Sequence, residues 1–232
     1  MHLQTYKKSL EGKGTVIFVH GFMGSPVQFN RLAEVAYAAG FSTLQILLPG
    51  HGSGAKDFAK SNMQHWLNAL DVEIEKLEGM IILVGHSMGC LLALHTAKKY
   101  GARIQGLLLL ACPFDVRLFS FNALRMRLRY KKEYIENCSV KISLGLLWYS
   151  IKPALEYKRL VKSTMSLVSE INIPTTVIFS TADEVVKVSA AKIIEEKLKH
   201  STIITLENSP HAFYLDYEQK IIEEELKKFF LC

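Results

Sequence analysis

The stretch "ILVGHSMGCLLAL", residues 82–94, passes from one apolar run through two glycines around a serine into another. The pattern is G-x-S-x-G, with Ser87 between Gly85 and Gly89. Upstream, "MIILVG" has the continuous aliphatic character of a buried strand. Downstream, "CLLALHTAKKYG" has helical spacing, a lysine pair in its last turn and Gly101 as a stop. Ser87 is therefore expected at a sharp strand-to-helix turn. Side chains at 85 and 89 would collide as strand and helix fold together, which accounts for glycine at both. In such a turn the serine backbone is strained and its Oγ stands clear of the sheet. The N–H groups that open the helix favour negative charge beside it.

The same alternation extends in both directions. "TVIFVH" (15–20), "STLQILLP", "IQGLLLLA", "TTVIFS" (175–180) and "TIITLE" read as further strands. Between and after them, "FNRLAEVAYAAG", "MQHWLNALDVEIEKLEG" (ending at Gly79), "SAAKIIEEKLKH" and "EQKIIEEELKKFF" read as helices. Near-continuous apolar strands separated by helices predict an α/β fold, a mostly parallel sheet with helices on both faces. The alternation lapses over 113–173, which reads as a mostly helical cap inserted into a core made of 1–112 and 174–232. Within it Leu144, Leu147, Trp148 and Ile151 recur at helical spacing. A second run from Leu160 follows Pro153, read as a helix start.

A serine nucleophile needs a base, and the base an orienting acid. In an open parallel sheet both belong at the carboxyl ends of strands. "TADEVV" after "TTVIFS" supplies Asp183, and "NSPHAF" after "TIITLE" supplies His211. Asp115, beyond "LLLLACPF", stands at another strand end and is the alternative acid. Glu184 is expected to point elsewhere. An oxyanion would be held by the Met88 N–H and by the loop after the first buried strand, His20-Gly21-Phe22. His20, His51 and His86 read as loop-shaping hydrogen-bonders, not bases. Their spacing makes no metal site, and no cofactor is expected.

The order Ser87, Asp183, His211 in this strand context resembles the α/β-hydrolase superfamily over nearly the whole chain. The resemblance implies that the Phe22 N–H is the second oxyanion donor and that its ring walls the acyl site. Over residues 14–94, "LPGHGSGAKDF", then Trp66, then "VGHSMG" are similar to the bacterial carboxylesterases and monoacylglycerol lipases with small caps. Cys90 departs from the glycine or alanine commoner there. That resemblance implies cofactor-free hydrolysis of short- to medium-chain acyl esters. A thioesterase, a C–C bond hydrolase or a non-catalytic ligand-binding protein uses the same frame, so those alternatives stay open. Phe114, Leu144, Leu147 and Trp148 are expected to join Phe22 around a small-molecule acyl substrate, with Phe119 and Phe121 in the same segment.

Composition fits one globular domain: 232 residues, 49% hydrophobic and 22% charged. No apolar run approaches the ~18 residues of a membrane helix. The opening "MHLQTYKKSLEGKG" has no hydrophobic signal core, so a cytoplasmic protein is expected. Cys90, Cys112, Cys138 and Cys232 lack metal-ligand spacing and read as reduced thiols. The net charge is +6, but lysines are interleaved with glutamates over most of the chain, which argues against nucleic acid. The exception is "RLFSFNALRMRLRYKK", where Arg125, Arg127 and Arg129 suggest a weak, salt-screened attraction to anionic lipid surfaces.

Overall fold

In a computed structural model the described residues are 4–117, 132, 146–215 and 217–231. Seven strands form one sheet: β1 (Tyr6–Lys8), β2 (Thr15–Val19), β3 (Ser42–Ile46), β4 (Ile81–His86), β5 (Ile104–Leu110), β6 (Thr175–Ser180) and β7 (Ser201–Leu206). Their order is β1-β3-β2-β4-β5-β6-β7. Only β1 runs antiparallel, against β3. Among the described residues, the complete α-helices are α1 (Asn30–Ala38), α2 (Ala55–Lys60), α3 (Met63–Ile74), α4 (Met88–Tyr100), α5 (Leu146–Leu167), α6 (Ser189–Lys197) and α7 (Gln219–Lys228). Every strand and helix named from periodicity outside 113–173 is present. The short edge strand β1 and the six-residue α2 were not anticipated, since neither spans a full period of apolar residues.

Strand alternation sorts the core onto the two faces. Ile17, Val19, Ile81, Leu83, Leu107, Leu109, Val177 and Phe179 join one cluster, with residues of α3, α4, α5 and α6. Val16, Phe18, Ile82, Val84, Leu108, Leu110 and Ile178 join the other, with residues of α1 and α7. Both faces are covered, so successive residues are apolar and the strands read as unbroken runs. Among the described residues no helix is long and apolar enough to cross a membrane.

Two helix boundaries differ from expectation. α3 stops at Ile74, five residues short of Gly79. The Arg103 guanidinium donates to the Ile74 carbonyl at 3.1 Å and to that of Leu77, satisfying carbonyls that end the helix. Pro153 does not start a helix but lies inside the 22-residue α5. A proline there forfeits one N–H bond, and core contacts of Leu160, Val161 and Met165 outweigh it. Phe119, Phe121, Arg125, Arg127, Arg129 and Leu144 lie outside the described residues. Leu147 and Trp148 belong to α5, but their side chains also lie outside the description.

Among the described glycines, the closest approach of another backbone is where α4 crosses the sheet. A Cβ on Gly89 would overlap the carbonyl oxygen of Val19, the last residue of β2. A Cβ on Gly85 would lie 2.7 Å from the Cys90 nitrogen and the Gly89 carbonyl carbon. Neither neighbour is a side chain that can swing away. Gly89→Ala is expected to lower unfolding stability by ~3 kcal/mol or more, since a packed backbone must move. Gly79→Ala, with a φ of +76° but nothing within 4 Å of the added carbon, should lose only about 1–2 kcal/mol of left-handed strain. Equal losses of urea midpoint in the two variants would show that the crossing has slack.

Candidate active site

Ser87 sits between β4 and α4 with φ +52° and ψ −118°, a conformation L-residues rarely adopt. The strain is held from several sides. The Ser87 N–H donates to Leu110 O at 2.9 Å, and its carbonyl accepts from Cys90 N at 2.9 Å. The Cys90 thiol donates to Gly85 O and Leu110 O, each at 3.2 Å. Position 90 therefore carries a small polar clasp beneath the turn. Both Cys90 and Cys112 are buried free thiols, as expected. The loop after β2 runs alongside: a Cβ on Gly21 would be 3.1 Å from the Ser87 Cβ. Met88 opens α4, so its N–H has no carbonyl within the helix to bond.

His211 Nδ1 lies 2.9 Å from Asp183 Oδ2. The other carboxylate oxygen, Oδ1, accepts from Val185 N at 2.7 Å and Val186 N at 2.8 Å. Burial alone would raise the Asp183 carboxyl. The nearby His211, the bond to it and the two N–H donors outweigh burial and hold it below the usual carboxylate range. An ionised acid on Nδ1 keeps the proton there and leaves the lone pair on Nε2, the nitrogen a base uses. Asp115, the alternative acid, is placed elsewhere: it pairs with Lys187 Nζ at 2.9 Å and accepts from Ser189 Oγ at 2.6 Å.

Three carboxylate and guanidinium clamps around this pair left no trace in the sequence. Glu184 does not point away, because its Oε2 accepts the His211 N–H at 3.0 Å. Arg117 donates to the carbonyls of Asp183 at 2.6 Å and Val186 at 3.1 Å, and its N–H reaches Val185 O at 2.8 Å. Glu218 collects Glu207 N (3.1 Å), Asn208 N (2.9 Å), Ser209 N (2.8 Å) and Ser209 Oγ (2.7 Å), fixing the loop before His211. Burial would raise the Glu218 carboxyl, but these donors hold it low. In sequence Glu218 reads as an ordinary acidic residue at the start of α7.

The other histidines shape loops. Leu48 N donates to His20 Nε2 at 3.1 Å, so Nδ1 carries the proton and donates to Gly21 O at 2.9 Å. Met23 N donates to His51 Nε2 at 3.2 Å, and His51 Nδ1 donates to Pro49 O at 3.2 Å. His86 Nε2 donates to His211 O at 2.9 Å, tying the residue beside Ser87 to the His211 loop. Its Nδ1 is buried with no partner among the described residues. The Phe22 ring meets Phe58 (5.1 Å), Tyr157 of α5 (5.5 Å) and Trp66 (6.3 Å). The segment 113–173 thus reaches the loop beside Ser87 through Tyr157. Phe114 is buried in the core cluster on the α4 face.

Burial lowers all three of these imidazoles: His20 well below its ordinary 6.5, helped by neighbouring His51, His51 to about 4, and His86 to about 3, helped by His211. Below pH 6.5 the unfolded chain binds protons there that the folded chain refuses, so stability falls as pH falls from about 6.5 towards 4. The Asp183 contribution has the other form. It is present above the unfolded carboxylate value and is lost at still lower pH, as the folded carboxyl protonates. The urea midpoint should be level above neutrality and drop between pH 6.5 and 4, with net proton uptake on unfolding. A midpoint constant over that interval would contradict the buried neutral histidines.

Residues 51–214 match the family model of serine hydrolases. A thermostable monoacylglycerol lipase of Bacillus sp. (strain H-257) is 28% identical over 228 residues, covering 93% of this chain and 89% of that protein. A structure from work on the metagenome-derived lipolytic enzymes LipS and LipT superposes with a TM-score of 0.79 at 21% identity, covering 99% of this chain and 98% of that one. The monoacylglycerol lipase of Paleococcus ferrophilus gives 0.77 at 21% identity, covering 100% and 99%. The sheet order, the elbow at Ser87 and these likenesses agree: this is an α/β-hydrolase fold, and the chain belongs to the serine hydrolase family.

Proposed function

We propose that the protein is an ester-cleaving serine hydrolase in which Ser87, His211 and Asp183 form the catalytic triad. The observation that carries this is the strained Ser87 turn, tied through His86 to a loop whose histidine sits on a buried, ionised Asp183. His211 Nε2 takes the Ser87 hydroxyl proton as Oγ attacks the ester carbonyl, and Asp183 stabilises the imidazolium that forms. The N–H groups of Phe22 and Met88 hold the oxyanion, with the α4 N-terminus adding a favourable field. Collapse of the tetrahedral intermediate expels the alcohol, protonated by His211, and leaves an acyl-Ser87. Water, deprotonated by His211, then attacks the acyl carbon, and the acid departs as Ser87 recovers its proton.

The finer reading is of short- to medium-chain acyl esters, including monoacylglycerols, held under a cap formed by 113–173. The likeness to a monoacylglycerol lipase over 93% of the chain supports it. So does Tyr157 of α5 against Phe22. The reading assigns Phe22, Phe114, Leu144, Leu147 and Trp148 to the acyl pocket. Weak contact with anionic lipid surfaces is supported by the outer stripe of α5. There Ile151 and Leu155, more than half exposed, align with exposed Lys158 and Lys162. The reading extends to a cytoplasmic enzyme, in keeping with the two buried free thiols.

Triad variants test the mechanism. Ser87→Ala should cut kcat on p-nitrophenyl butyrate by roughly 10⁴–10⁶ and abolish fluorophosphonate labelling. Asp183→Asn should reduce kcat by about 10²–10⁴, while Asp115→Asn, on the Lys187 side, should change it less than ~10-fold. Near-normal turnover in Ser87→Ala, or the reverse ranking of the aspartates, would sink the assignment.

A chain-length series tests the pocket. Each CH₂ buried contributes up to ~0.8 kcal/mol, about fourfold in kcat/KM. Activity on p-nitrophenyl esters should climb from acetate to a medium-chain optimum and then fall. A steady decline from acetate would show that no acyl chain is bound there.

A further inference from the structure

We propose that two copies of this chain associate by antiparallel pairing of their β7 strands, making one continuous sheet across a two-fold axis at Ile203. β7 ends the sheet, and among the described residues no strand lies beyond it. The carbonyls of His200 and Leu206 accept from Thr175 N and Thr181 N, at 3.0 and 2.9 Å. Strand alternation therefore turns the even-numbered backbone groups of β7 towards β6. Those of Ser201, Ile203 and Thr205 face the open edge. From Ser201 to Leu206 the strand carries no charge, no proline and no glycine. Edges left open are normally blunted by such residues.

The register follows from which groups remain available. Two-fold pairing about Ile203 sets Ser201 opposite Thr205 of the partner, Ile203 opposite Ile203 of the partner, and Thr205 opposite Ser201 of the partner. Each of these pairs exchanges two N–H···O=C bonds. A shift by two residues one way requires the Glu207 N–H, which already donates to Glu218 Oε1 at 3.1 Å. The opposite shift requires Lys199, which lies in the turn before β7. Either shift loses an exchanged pair. The favoured register also sets exposed Lys199 of each copy against exposed Glu207 of the other, closing both ends of the ladder with opposite charges. Beside the strand, a cavity of about 570 Å³ between β7 and α6 is lined by Val188, Ala191, Ile203 and Thr205, with Lys192 and Glu195 of α6 also on its wall. Val188 is 38% exposed there. The odd-numbered side chains of the partner's β7 enter this space, on the same face as Ile203.

Sedimentation equilibrium and light scattering on the full chain test the proposal. The wild type should show twice the 26.2 kDa of one chain. Ile203→Pro removes an N–H that the parent sheet does not use, so the variant should fold, keep its far-UV spectrum and be monomeric. Lys199→Glu or Glu207→Lys should each raise the dissociation constant about tenfold by opposing like charges, and the double reversal should restore it. Opposed residues of an exchanged pair have Cα atoms about 5.5 Å apart, within disulfide reach. Ile203→Cys should therefore form a covalent dimer on oxidation, with no such band in the parent or in Thr205→Cys. A wild type that stays monomeric at hundred-micromolar concentration would overturn the proposal. So would a dimer indifferent to Ile203→Pro and to charge reversal, or one cross-linked equally well by either cysteine.

Discussion

The structure depends on one place where two backbones touch without a side chain between them. At Gly89 the first turn of α4 lies against the carbonyl that ends β2, and at Gly85 the end of β4 lies against the start of α4. This closeness fixes how sharply the chain must turn between them, and so drives Ser87 to its positive φ. A wider crossing would let position 87 relax to an ordinary helix-start conformation and sink its Oγ towards the sheet. The same crossing brings the loop of Gly21 and Phe22 beside the serine, because that loop continues directly from Val19. The Ser87 turn, the start of α4 and the loop of Gly21 and Phe22 are thus set by a single steric contact.

The Asp183–His211 half of the candidate site follows a different principle. Asp183 and His211 sit on loops after β6 and β7, where no strand ladder holds the backbone. Carboxylates and a guanidinium substitute for one. Glu218 gathers four donors, Glu184 takes the His211 N–H, and Arg117 binds the carbonyls around Asp183. Charge-assisted bonds of this kind are among the stronger a short loop can make. The extension of β5 adds to this, since Val116 bridges Val186 and Asp115 binds Lys187. Asp115 therefore stabilises the acid loop from outside.

What could be read from the residues divides along the same line. The strands from Thr15 to Leu206 and the turn at Ser87 were legible because periodicity and glycine placement are local and two-faced burial leaves unbroken apolar runs. Asp183 and His211 were legible as residues at strand ends. Asp183 was preferred to Asp115 from its place after the later strand, and its carboxylate is the one that lies on His211 Nδ1. The clamping roles of Glu184, Glu218 and Arg117 were invisible, since a charged loop residue looks the same whether it faces solvent or, like Glu218, three backbone N–H groups and a hydroxyl. Pro153 misled because its helix-starting preference is a local signal. Contacts from Leu160 to Met165 prevail over it.

The tethers that hold the His211 loop act mostly on main-chain atoms: Glu184 on its N–H, His86 on its carbonyl, Glu218 on the peptides before it and on Ser209 Oγ. The imidazole adds its bond to Asp183 and a ring contact with His86 at 4.9 Å. Chemistry and architecture are therefore separable here. A chain in which the side chain of His211 or Ser87 is replaced would keep these main-chain tethers.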